Sequence, residues 1–337
     1  MNMANARRLE GKVAIVTGGG GVIGREQSLA LAREGAKIVV NDLGVTWDRR
    51  PGDPRAVDRV VEEVKALGGE AVASRDSVAT RAGAQRIVDS ALEAFDGLDI
   101  IVSHAGIVGV RHAVWDIPED EWDEVLAANL AGPFFMAQCG APTLCEQGSG
   151  VIVNMSSTAG FGAPLAVPYG ASHEGVIGLT RALARELGRF NVRCNAVRPF
   201  ALTDRSVEYE LRDRNDNDRW QPLVDALITN RPRPVVSGGL FSRKDPDAFP
   251  ASAVATFVTW LCTDAARVVN GRTFFVGGNR VALYAEPATE RDVSIAGVLD
   301  LDAFDGAADL IAGELKNEYL LESNPELQVF EPLARDA

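Results

Sequence analysis

Two stretches of the chain carry side chains whose types and spacing could do chemistry. Ser156 and Ser157 follow an apolar run, Tyr169 stands 12 residues beyond Ser157, and His173 lies four residues further on. A phenol can trade its proton with an alcohol or carbonyl oxygen, and a serine hydroxyl can hydrogen-bond the same oxygen. An imidazole four residues along a helix shares the phenol's face. The second stretch is TGGGGVIG, from Thr17 to Gly24, between a β-branched apolar run and an amphipathic segment. Glycines there permit a tight turn and close approach of the backbone to a pyrophosphate, which then sits on a helix N-terminus. Asp42 ends the next apolar run, 24 residues after Gly18. A carboxylate so placed can bind both hydroxyls of an adenosine ribose and repels a 2′-phosphate. No Lys or Arg stands between Gly18 and Gly24, so NAD is expected rather than NADP.

The elements that must position these groups are legible as an alternation. Apolar, β-branched runs at 12–17, 36–41, 70–74, 98–103, 150–155 and 192–197 read as buried strands. Helical patterns fall at 24–35, 55–67, 82–95, 118–138 and 168–187. Strand and helix in strict alternation predict an α/β fold with a doubly wound parallel sheet, since parallel strands need crossover helices. Ligands in such folds bind beyond the carboxyl ends of the strands. Two segments interrupt the alternation. Residues 202–247 are polar, contain RDRNDNDRW and prolines at 222, 232 and 234, and also supply Trp220, Leu223, Leu227, Leu240 and Phe241. They are expected to form a substrate loop, with a bulky, partly apolar substrate in view; a decorative surface insertion explains the same letters. Residues 285–337 form a C-terminal extension with two helical patterns and no nameable chemistry.

Composition bounds the class. The chain has 337 residues, 46% hydrophobic and 24% charged, which excludes disordered, collagenous and disulfide-scaffold classes. Its 34 Lys and Arg against 47 Asp and Glu leave a net charge of −13, which argues against nucleic-acid and anionic-membrane partners. No apolar run is long enough to span a bilayer and the first residues lack a signal-peptide stretch, so a cytoplasmic location is expected. Cys139, Cys145, Cys194 and Cys262 have no zinc-type or CxxC spacing and read as structural thiols. With only three histidines and no HExxH, no metal is expected.

Taken together, the motifs resemble the short-chain dehydrogenase/reductase family over residues 9–284. Besides the glycine turn, the matching stretches are Asp76-Ser77-Val78, Ser103-His104-Ala105-Gly106, Asn129 in AANLAGPFF, Ser156-Ser157 and YGASHEGVIGLTRALARE. The phrase VVNDLG looks most like the subgroup of (3R)-hydroxyacyl-CoA and hydroxysteroid dehydrogenases. The resemblance implies a Rossmann fold and a secondary alcohol/carbonyl reaction with NAD. It implies Tyr169 as the acid or base, Ser157 as its partner on the substrate oxygen, Asn129 as holder of a water that links the site to solvent, and His173 at the ribose-binding position. The cofactor would be held by Gly18, Gly21, Ile23, Gly24, Asp42, Leu43, Asp76, Ser77, Ala105, Gly106 and Pro199, with Tyr169 and His173. A homodimer or homotetramer acting on a small-molecule substrate is implied as well.

Three departures from the family pattern bear on the chemistry. The family's YxxxK is YxxxH here, His104 replaces the second Asn of Asn-Asn-Ala-Gly, and Val22 replaces a small residue at the glycine turn, where its methyls are expected to oppose the phosphates. The interval of 12 from Ser157 to Tyr169 is one shorter than the family's, but Thr158-Ala159-Gly160 aligns Ser157, rather than Ser156, with the catalytic position. Three readings follow. His173 stands in for Lys as ribose donor and, when protonated, as electrostatic helper, with a group titrating near 6.5. Or the scaffold performs a non-redox dehydration, isomerisation or lyase step. Or the chain is a catalytically silent dinucleotide-binding subunit.

Overall fold

The structure is a computed structural model, and it describes residues 7–110, 112–203, 248–289, 291–294 and 301–313. They belong to two compact units, one comprising the described residues through 284 and the other those from 285 onward. In the first unit β1 (Val13–Thr17), β2 (Lys37–Asn41), β3 (Ala71–Ser74), β4 (Ile100–Ser103), β5 (Gly150–Met155), β6 (Val192–Phe200), β7 (Thr273–Gly277) and β8 (Arg280–Leu283) form one sheet in the order β3-β2-β1-β4-β5-β6-β7-β8. All pairs are parallel except β7 with β8. The order reverses between β1 and β4, and a crevice at the carboxyl ends of a doubly wound sheet opens at that reversal.

The helices follow from the sequence periods. α1 (Val22–Arg33) buries Leu29 and Leu31, and the chain leaves it through Gly35 at φ +97. α2 is Ala56–Ala66, and its four valines face inward. α3 (Arg81–Phe95) begins at Thr80, whose hydroxyl accepts from the Gly83 amide at 3.1 Å, an N-cap that satisfies one orphan donor of the first turn. α6 (Val167–Leu187) buries Ser172, His173, Val176, Ile177 and Thr180 along one face. Alternate residues of β1 separate two cores. Ala14 and Val16 join the side containing α1 and α2, whereas Val13 and Ile15 join the side containing α3.

The helix expected over 118–138 differs in shape and length. It is α4 (Glu119–Leu126), a wide π turn (Ala127–Ala131) and α5 (Gly132–Glu146). The π turn carries Asn129, whose side chain bonds the backbone of Ile107 and so holds the helix open at that point. α5 continues past Gln138 because Gly140 lets it pack against Ile101, where a Cβ would lie 2.5 Å from the isoleucine Cδ1. The sequence reading did not single out α7 (Ala251–Cys262), β7 or β8. α7 is largely buried against the sheet, so its apolar residues lack the clean polar face of a surface helix. In the second unit α8 (Leu301–Gly306) and α9 (Ala308–Ala312) are short. Of the expected substrate loop only Leu202 and Thr203 are described; Trp220, Leu223, Leu227, Leu240 and Phe241 lie outside the described residues.

Candidate active site

The glycine turn is folded tightly against its neighbours. At Gly18, with φ +69, a Cβ would stand 2.8 Å from the Ala105 amide nitrogen, and at Gly24 it would stand 2.1 Å from the Gly18 carbonyl oxygen. Any side chain at either position would push the turn off the strand ends. Thr17 Oγ1 accepts from the amides of His104 at 3.0 Å and Ala105 at 3.1 Å, which ties the loop after β4 to the end of β1. Gly21 caps α1 without a side-chain hydrogen bond, and the first turn holds no acidic residue. The result is a helix N-terminus with its positive end open, fit for an anionic pyrophosphate. Ile23 packs against the core behind the turn. Val22 is exposed at the start of α1.

The carboxylate expected to read the ribose is anchored on both oxygens. Asp42 Oδ2 accepts from the Gly20 amide at 3.1 Å and Oδ1 from the Gly44 amide at 2.8 Å. Leu43 beside it is exposed. Asn41 Nδ2 donates to the Asp76 carbonyl at 2.9 Å, while the Asp76 carboxylate pairs with Arg86 at 2.5 Å. Ser77 Oγ accepts from the Ala79 amide at 3.2 Å. Ala105 is half-buried, Gly106 is exposed, and Pro199 lies within β6 opposite Val276.

Around Tyr169 the structure brings several expected residues together. The rings of Tyr169 and His173 meet edge-on, with centroids 4.3 Å apart. Ser172 Oγ donates to the Tyr169 carbonyl at 2.9 Å, and Asn129 Nδ2 donates to that hydroxyl at 3.4 Å. Asn129 also receives the Ile107 amide on Oδ1 and donates to the Ile107 carbonyl, both at 2.8 Å. Its side chain is thus fixed by protein partners, with one lone pair of Oδ1 taken by the Ile107 amide. The two serines differ sharply. Ser156 is 3% exposed and donates to the His173 carbonyl at 2.9 Å, so its hydroxyl is committed to the scaffold. Ser157 is half-buried, and its Oγ accepts from the Ala159 amide at 3.1 Å, which leaves its own proton to donate.

Burial governs the electrostatics of the two histidines. Burial pushes His173 down to about 3, with the Arg198 cation and His104 adding to the effect, and burial alone pushes His104 down to about 4. Each ring has an Nδ1 that is buried without a hydrogen-bond partner among the described residues. Burial thus favours the neutral form of His173 near pH 7. The cation of this region is Arg198, which the sequence reading missed. It is 2% exposed, donates to the Ser157 carbonyl at 2.6 Å and pairs with Glu174 at 2.5 Å. The signal was present as an arginine directly after an apolar run, where the expected strand was ended at Val197; β6 continues to Phe200.

Among the described residues no group of three His, Cys, Asp or Glu side chains could hold a metal ion, and no helix is long and apolar enough to cross a membrane. The four cysteines are free.

Comparison with known proteins agrees with this architecture. The chain is 33% identical over 302 residues to the hydroxyacyl-CoA dehydrogenase ChsB1 of Mycobacterium tuberculosis, covering 87% of this chain and 86% of that protein. It is 41% identical over 222 residues to the peroxisomal multifunctional enzyme type 2 of Drosophila melanogaster, covering 66% of this chain but only 36% of that longer enzyme. A short chain dehydrogenase from Mycobacterium avium superposes with a TM-score of 0.72 at 32% identity, covering 92% of this chain and 97% of its own. NAD+-bound xylitol dehydrogenase superposes with a TM-score of 0.65 at 26% identity, covering 81% and 100%. The family profile described as short chain dehydrogenase matches residues 12–214. With its Rossmann-type sheet, the chain belongs to the short-chain dehydrogenase/reductase family and is an oxidoreductase of that family.

Proposed function

We propose that this protein interconverts a secondary alcohol and a ketone with NAD as hydride carrier, on a bulky hydroxyacyl-CoA or steroid-like substrate. The observation that carries the reading is the edge-on pair of Tyr169 and His173 on α6, with Ser157, whose proton is free to donate, capping the turn that packs on that helix, on the family scaffold that also bears the glycine turn and Asp42. The turn fits a dinucleotide because its glycines leave no room for side chains and the start of α1 is open to an anion. Asp42 favours a ribose carrying two free hydroxyls. The NAD found with xylitol dehydrogenase supports the cofactor, and the name of the mycobacterial relative supports an acyl-CoA substrate.

When bound, NAD supplies a hydride acceptor. The chain's own residues handle the proton. Tyr169 takes the proton released as an alcohol becomes a ketone and returns it in the reverse direction. Ser157 hydrogen-bonds the same substrate oxygen and steadies the charge that develops there. Neutral His173 holds the nicotinamide ribose by hydrogen bonding, without a charge. Asp42, Leu43, Asp76 and Ser77 flank the adenosine end, and Gly18, Gly21, Ile23, Gly24, Ala105, Gly106 and Pro199 line the path between the two ends.

Purified protein with NAD and a panel of 3-hydroxyacyl-CoA and hydroxysteroid alcohols is expected to form NADH, and Tyr169→Phe is expected to abolish this while still binding NADH. A second, non-redox reading draws on the neutral His173 and His104, whose unpartnered Nδ1 atoms suit proton transfer. Dehydration or isomerisation of the same panel without any change in NADH would favour it and sink the first.

A further inference from the structure

Arg198 sits at a place and in a state that the reaction above does not yet use. It projects from β6 and is 2% exposed. Its Nη1 donates to the Ser157 carbonyl at 2.6 Å and its Nη2 pairs with Glu174, the residue after His173, at 2.5 Å. Its guanidinium carbon lies 4.0 Å from the Phe161 ring centroid and 5.6 Å from that of Tyr284. Gly160 makes the room, since a Cβ there would come within 2.8 Å of Nη1. A guanidinium is charged at any working pH and carries a rigid fork of donors. Burying one is costly unless it is paired and hydrogen-bonded.

We propose that Arg198 is a positioning residue of the active site: its fork fixes the backbone of Ser157 and, through Glu174, the α6 turn of Tyr169 and His173, and it supplies the site with a permanent positive charge. The family pattern places a lysine cation four residues after the tyrosine, and here that position is a neutral histidine. Arg198 acts from the opposite wall, on the strand rather than the helix. This deepens the dehydrogenase reading and rests on its assignment of Tyr169.

The link from Arg198 to Tyr169 runs through His173, on which Arg198 and His104 both act and whose ring meets that of Tyr169 edge-on; Arg198 itself is paired with Glu174 and stands over Tyr284. Both histidines are neutral near pH 7, and burial raises Tyr284 while Arg198 lowers it. Arg198 and Glu174 are therefore the fixed charges, and they act on the Tyr169 phenol in opposite directions.

The test is a titration of phenolate absorbance, with Tyr169 isolated as the difference between each protein and the same protein carrying Tyr169→Phe. Arg198→Met is expected to raise the Tyr169 midpoint by about one pH unit or more, and Arg198→Lys to leave it nearly in place. Glu174→Gln, at a half-exposed carboxylate, is expected to lower it. Arg198→Lys keeps the charge but loses the fork, so its kcat is expected to fall with little change in KM for NAD. Should Arg198→Met fail to fold, the Glu174→Gln shift decides alone. A Tyr169 midpoint that moves in none of these variants overturns the proposal. Because the titration needs no turnover, shifted midpoints in a protein that oxidises no alcohol would sink the dehydrogenase reading and leave this one standing.

Discussion

Tyr169 and His173 meet edge-on across one turn of α6, with ring centroids 4.3 Å apart and ring planes at 72°. The histidine is thus packed against the phenol ring and is 8% exposed. Restoring the family's lysine by His173→Lys would place an ammonium in the space of a buried imidazole already under the influence of Arg198. Folding stability is expected to fall by about 1–3 kcal/mol in urea titrations, and kcat to fall rather than rise. An increase in kcat would show that the pocket still accepts the ammonium.

The two buried histidines make stability depend on pH with a definite sign. Their folded values, about 4 for His104 and about 3 for His173, lie below the ordinary 6.5, so the unfolded chain binds more protons between those limits. Stability contributed by the neutral rings is complete above 6.5 and is lost as pH falls towards 4 and 3. Urea midpoints measured at pH 7, 6 and 5 are expected to fall progressively. His104→Asn should flatten part of that slope, and an unchanged slope would contradict the burial of its ring in neutral form.

Asp42 holds its carboxylate by the Gly20 and Gly44 amides, so a negative charge is fixed at the mouth of the glycine turn. Replacing it with Ser removes the charge that repels a 2′-phosphate. The ratio of kcat/KM for NADP over NAD is expected to rise by about tenfold or more, corresponding to roughly 1.4 kcal/mol. Steady-state rates with both cofactors check this.

Ser156 and Ser157 are neighbours with opposite commitments. Ser156→Ala removes a buried hydrogen bond to the His173 carbonyl and is expected to cost about 1 kcal/mol of stability with kcat reduced only slightly. Ser157→Ala is expected to lower kcat by about a hundredfold with stability unchanged. The reverse pattern would transfer the substrate contact to Ser156.

The alternation of strands and helices was legible because each buried strand is a compact β-branched run closed by glycine or polar residues, as at VAIVT before Gly18. The glycine turn and Asp42 could be read for the same reason, since backbone geometry dictates residue type there. The helix containing Asn129 was read as one regular element because a π turn leaves no mark on hydrophobic spacing; the cause is a hydrogen bond to Ile107, 22 residues away. Arg198 was missed because its partners, the Ser157 carbonyl and Glu174, come from other elements. The downward push on His173 was not legible in the sequence because burial by the surrounding fold, rather than its neighbours in sequence, causes it.

Asn129 gives and receives at Ile107 as a peptide unit would, amide to carbonyl and carbonyl to amide. It acts as one rung of sheet supplied by a helix, extending the ladder past the end of β4. Both bonds need the same rotational setting of the helix. Deleting a single residue between α4 and α5 would swing that rung by about 100° and break the pair together. Length polymorphism in this helix is therefore expected only where Ile107 and its loop change with it.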